Sequence, residues 1–146
     1  MKLFLDTNVL LEFLCGRAKA IEVRDLLDAI EDAKHQAYIS SSAFCTIAYY
    51  VELTLKDNGF HKPEKTAKLR KILNSVLEIV TVLDTNHVDA CTATNDLHFD
   101  DIEDSMQYQC ALKGCCDCLI TFNTKDYKNV EHSTISVLTP SKFLSK

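Results

Sequence analysis

Five short runs of strand-forming residues, spaced by stretches of helical character, constrain this chain more than any other feature. They are Lys2–Leu5 ("KLFL"), Ala37–Ser40 ("AYIS"), Glu78–Leu83 ("EIVTVL"), Cys118–Phe122 ("CLITF") and Ile135–Leu138 ("ISVL"). Leu3, Phe4 and Leu5 are continuously apolar, as in a strand covered on both faces. Glu78–Leu83 alternates like a strand, although its neighbours could extend a helix. Helices are expected over about Asn8–Cys15 and Ala18–Lys34, and from the capping serines Ser40–Ser42 to about Asp57. Pro63 suits the first turn of a helix to about Val76, and two more fall at Asn86–Leu97 and Asp101–Lys113. Strands separated in this way require βαβ units and a parallel sheet. The expected fold is a three-layer α/β domain with helices on both faces, a single domain over residues 1–146.

The bulk numbers exclude several classes. At 47% hydrophobic and 25% charged residues, the chain reads as an ordinary globular protein. No run of about 18 apolar residues occurs, so no membrane span is expected. The N-terminus has no basic segment leading into an apolar one, so a cytoplasmic setting is expected. Seven cysteines then read as reduced thiols. Cys115 and Cys118 have CxxC spacing, but no second pair completes a zinc site, and small buried side chains are the better reading. Three glycines leave no glycine-rich phosphate loop, which removes nucleotide-binding Rossmann and P-loop folds. A net charge of −5 argues against a generic nucleic-acid coat, but not against an enzyme with a local basic patch and a metal ion. The dense basic stretch is His61–Lys71, with Lys62, Lys65, Lys68, Arg70 and Lys71; it is either a solvated helix face or a surface for phosphates or an acidic partner.

The acids fall where an α/β sheet binds ligands, beyond the carboxyl ends of strands. Asp6 lies between a buried strand and a largely apolar helix, where a carboxylate must cap, pair or bind a cation. Asn123 and Asp126 follow "CLITF". In a helix from Asp101, Asp104 shares a mostly apolar stripe with Tyr108, Ala111 and Cys115, so it faces inward. Asp100 and Glu103 have capping-box spacing, and acids suit a helix start. Carboxylates that converge repel one another and remain ionised together only around a cation. An all-oxygen ligand set favours Mg²⁺ or Mn²⁺, which points to phosphoester chemistry.

The segments "LFLDTNVLLEFL", "AYISSSAFCTIAYYV", "FDDIEDSMQYQCA" and "CLITFNTKDY" resemble, in order and spacing, a PIN domain. The resemblance spans nearly the whole chain and is nearest to VapC-like toxin nucleases of bacterial toxin–antitoxin pairs. It implies a ribonuclease with Mg²⁺ or Mn²⁺ held by Asp6, Asp104 and Asp126, with Asn123 completing the catalytic set. Asn8 matches the companion of the first acid, Thr121 opens the "T-x-N-x-x-D-[FY]" ending, and Glu12 falls where relatives also carry an acid. The departure is in the second segment, where Thr46 stands in the place of a usual Glu. Glu52 is six residues on, rotated roughly 240° around a helix, and is a poor replacement. Glu12 or Glu103 could supply the missing charge. The resemblance also implies an RNA substrate, a cognate antitoxin and a homodimer. The alternative is a weakened PIN fold that binds RNA or an antitoxin without turnover. A phosphatase of the haloacid-dehalogenase type is disfavoured, because Asn8 stands where its "DxD" motif needs the second acid.

Overall fold

The computed structural model describes residues 1–130 and 134–146. Strands β1 (Lys2–Leu5), β2 (Gln36–Ser40), β3 (Val80–Leu83), β4 (Cys118–Ile120) and β5 (Ser136–Leu138) form one parallel sheet in the order β3-β2-β1-β4-β5. Leu3 stands opposite both Ala37 and Cys118, which fixes β1 at the centre. The chain winds from β1 outward to β3, then returns to lay β4 on the other side of β1. The order therefore reverses between β1 and β4, and a crevice opens at their carboxyl ends.

Alternation along the strands divides two cores. Leu3, Leu5, Ala37, Ile39, Cys118 and Ile120 pack against α1 (Thr7–Leu14), α2 (Ala20–Asp32), α3 (Ser41–Asp57) and α4 (Glu64–Ile79). Phe4 and Leu119 face the other way, onto Tyr108, Cys110 and Ala111 of α6 (Ile102–Lys113) and onto Tyr127. Both faces of β1 are thus covered, as its unbroken apolar run requires. Each fully buried Leu, Ile or Phe contributes about 1.5–3 kcal/mol relative to exposure. Helix α5 (His87–Asn95) packs beside α6, where Ser105 Oγ donates to Ala93 O at 2.8 Å. The expected three-layer α/β architecture is what the chain forms.

Local differences have local causes. Helix α4 runs on through Ile79, so β3 begins at Val80 rather than Glu78. A final helix, α7 (Pro140–Leu144), was not expected; Thr139 caps it by accepting from Lys142 N–H at 3.2 Å, with Pro140 in its first turn. The start of α6 is capped by Asp101 rather than Asp100. Asp101 is extended (φ −104°, ψ 126°), and its carboxylate accepts from the N–H groups of Glu103 at 2.8 Å and Asp104 at 3.2 Å. Cys115 lies past the end of α6 and is exposed, so the inward stripe is Asp104, Tyr108 and Ala111. Cys116 and Cys118 are buried, and burial pushes both thiols up to about 11, which keeps them protonated. Among the described residues no helix is long and apolar enough to cross a membrane.

Candidate active site

The crevice between β1 and β4 is bridged by the first acid. Asp6 follows β1 directly, is 3% exposed, and its N–H donates to Ile120 O at 3.0 Å. Its carboxylate is surrounded by donors. Thr121, just past β4, donates its hydroxyl to Oδ2 at 2.6 Å, and Asn8 Nδ2 reaches the same oxygen at 3.0 Å. Gln107 Nε2 donates to Oδ1 at 2.9 Å, and the Asn8 N–H contacts it at 3.5 Å as the cap of α1. Burial raises the Asp6 pKa above the ordinary carboxylate value, and the bonds from Thr121 and Gln107 oppose that rise.

Gln107 is a site residue that sequence reasoning missed. It is buried on α6, one turn beyond Asp104, and its amide oxygen accepts from Thr7 N–H at 3.0 Å and the Thr7 hydroxyl at 3.2 Å. One side chain therefore satisfies an unpaired N–H in the first turn of α1 and holds the Asp6 carboxylate. Asn8 Oδ1 is buried with no partner among the described residues, at the same point. That leaves an acceptor beside Asp6 available to an incoming donor or cation.

The other acids come from the start of α6 and the turn after β4. Asp6, Asp101, Glu103, Asp104, Asn123 and Asp126 line one cleft with Asn8, Gln107, Thr46, Tyr50 and Arg17. Asp104 is half-buried, and the Tyr127 hydroxyl contacts its Oδ1 at 3.5 Å. Its pKa is raised from 3.8 to about 7, by burial first and then by the charges of Asp6, Asp101, Asp126 and Glu103. Burial, followed by the charges of Asp6 and Asp101, also raises Glu103, whose Oε1 lies 3.5 Å from the Thr7 hydroxyl. Asn123 and Asp126 are exposed, and the Asn123 N–H donates to Thr121 Oγ1 at 3.0 Å.

Two expectations from sequence are placed elsewhere. Glu12 does not line the cleft; its carboxylate accepts from Lys19 N–H at 3.1 Å and ties down the loop after α1. Lys62, Lys65, Lys68, Arg70 and Lys71 do not line it either. Lys65 pairs with Glu52 at 3.1 Å, Lys68 lies over the Phe60 ring at 4.7 Å, and Lys71 borders an apolar groove with Phe13 and Ile79. Thr46 does line the cleft, and its hydroxyl donates to Ser42 O at 3.2 Å within its own helix. Arg17, the cation of the cleft among the described residues, was not anticipated.

The residues present suit a hard divalent cation by chemistry: carboxylate and amide oxygens, an orphaned Asn8 Oδ1, and an Asp104 whose charge its neighbours oppose. Among the described residues, however, no three His, Cys, Asp or Glu side chains are already drawn together closely enough to hold one ion. The carboxylates face a common space without being closed around it.

The PIN domain family model matches residues 2–125. No curated protein matches the chain. Among solved structures, the chain is similar to one in the crystal structure of VapBC2 from Rickettsia felis bound to a DNA fragment from their promoter. The two share 15% identity with a TM-score of 0.66, over 94% of this chain and 98% of that one.

Proposed function

The chain belongs to the PIN-domain family, and on that premise we propose that it is a metal-dependent endoribonuclease of the toxin type. The observation that carries this reading is the gathering of Asp6, Asp104, Asp126 and Asn123 on one cleft at the point where strand order reverses. Asp6, Asp104 and Asp126 would hold Mg²⁺ or Mn²⁺, with Asn8, Glu103 and Thr121 in support. Such an ion, when bound, supplies acidified water and charge neutralisation at a phosphodiester. Thr121, Asn8 and Gln107 fix the orientation of the Asp6 carboxylate before any ligand arrives. Tyr127, buried beneath Asp104, keeps its phenol protonated and directs a donor at that carboxylate.

The similar structure is that of VapBC2 bound to a DNA fragment from their promoter. By analogy this chain would act in the cytoplasm as a single-domain toxin, restrained by a cognate antitoxin and working as a homodimer. A second reading is favoured by Thr46: with one carboxylate fewer and the Thr46 hydroxyl bonded within α3, the fold would bind RNA or an antitoxin without turnover. An RNA cleavage assay in Mn²⁺ or Mg²⁺ separates the two. The nuclease reading expects cleavage by the wild type and its loss in Asp6→Asn and Asp104→Asn. Equal cleavage by all three proteins would overturn the assignment, and RNA binding without cleavage by the wild type would favour the binding module.

A further inference from the structure

Arg17 is the cation lining the acidic cleft among the described residues, and the backbone fixes its position. Helix α1 ends in a left-handed turn at Gly16, with φ of 62°. There the Gly16 N–H donates to Phe13 O at 3.2 Å and the Arg17 N–H to Glu12 O at 2.9 Å. This pair of bonds is the glycine C-cap of helices, at a φ that side-chain-bearing residues adopt only with strain. The Glu12 carboxylate then holds Lys19 N–H at 3.1 Å, so the loop is tied on both sides of Arg17.

The guanidinium lies 5.9 Å from the Tyr50 ring centroid and enters no ion pair among the described residues. Tyr50 follows Thr46 by one turn of α3. Tyr49 sets its ring edge-on against Tyr50 at 5.2 Å, and the two tyrosines are 62% and 39% exposed. Thr46 lines the same cleft and brings no charge that could pair with this guanidinium. Exposed aromatic rings beside a free arginine offer what an unstacked base and a phosphate need. The acids themselves repel a polyanion, so a strand must be held by cations to either side. A second cleft shares Asp101, Asp104 and Asp126 and is lined by Lys125 and Lys128.

We propose that Arg17 and Tyr50, on the wall where Thr46 stands, form a nucleotide-binding subsite: the guanidinium takes a phosphodiester adjoining the attacked one, and the Tyr50 ring stacks on an unpaired base. The strand continues over the acids toward Lys125 and Lys128. This inference rests on the ribonuclease reading, yet its test is one of binding. A fluorescein-labelled single-stranded oligoribonucleotide of about ten nucleotides, within the span such surfaces cover, is titrated by fluorescence anisotropy with Mg²⁺ present. Probe integrity is checked on a gel.

Tyr50→Ala is expected to weaken binding at least about fivefold, the effect of losing one stacked base, while Tyr50→Phe binds as the wild type does. Arg17→Ala weakens it and lowers the slope of log affinity against log salt by about 0.7, the loss of one single-strand phosphate contact. A duplex of the same length is insensitive to Tyr50→Ala. Wild-type affinity and salt slope in Arg17→Ala, or wild-type affinity in Tyr50→Ala, would overturn the subsite, as would a duplex that loses as much on Tyr50→Ala. If Asp6→Asn abolishes cleavage but Arg17→Ala binds normally, the subsite fails and the ribonuclease reading stands.

Discussion

Asp6 and Asp104 face the same cleft, yet four protein donors surround one carboxylate while the other meets chiefly further acids. The difference follows from where each residue sits. Asp6 ends a central strand, so the ends of β4, α1 and α6 converge on it from all sides. Asp104 belongs to the first turn of a helix whose neighbours in sequence are acidic and whose backbone donors Asp101 already takes. The floor of the cleft is therefore set by the fold, whereas the rim is an unrelieved concentration of like charge that a proton or a cation can quiet. A site of this kind has one rigid anchor and one responsive wall.

Two substitutions on the same helix, three residues apart, should separate floor from rim. Gln107→Met keeps the side-chain volume but strands Thr7 N–H and leaves Asp6 Oδ1 only the longer contact from Asn8 N–H. A buried group left unpaired costs about 1–3 kcal/mol. Thermal melting should therefore fall by several degrees, and by more where the Asp6 carboxyl is ionised, because the Gln107 bond favours its charged form. An unchanged melting temperature would mean that Gln107 does not hold the floor.

Asp104→Asn should act in the opposite direction and with a smaller, pH-dependent effect. The Asp104 carboxyl titrates near 7 in the folded protein and near 3.8 when unperturbed, so between these values the folded state binds more protons than the unfolded one. The wild type therefore loses stability as pH rises from 3.8 to about 7 and stays at its lower level above that. The variant escapes this loss. It should melt higher than the wild type above pH about 7, and the gap should close as pH falls toward 3.8. A gap constant across this range would show that repulsion at the rim is not its cause.

The same contrast explains what the sequence made legible. The sheet could be read because each strand is a brief β-rich run between helical stretches. Asp6 stood out because a carboxylate between buried elements needs a reason. Gln107 was not legible: an amide on an amphipathic helix reads as surface, and its burial depends on Thr7, a hundred residues away in sequence. Arg17 was hidden for a related reason. The dense basic stretch His61–Lys71 drew attention, but two of its lysines are taken up by Glu52 and Phe60, whereas one isolated arginine behind a helix-ending glycine reaches the cleft. Charge density along a chain says little about where the topology sends each charge. The α6 cap was misread by one residue because Asp100 and Asp101 are chemically equal, and only the backbone decides which of them meets the helix start.

The account depends on these acids answering to a single divalent ion, and calorimetric titration with Mn²⁺ tests that directly. The wild type should take up Mn²⁺, with Asp6→Asn and Asp104→Asn each weakening the affinity by at least about tenfold, roughly 1.4 kcal/mol. Uptake of equal affinity in the wild type and both variants would place the ion elsewhere and contradict the account.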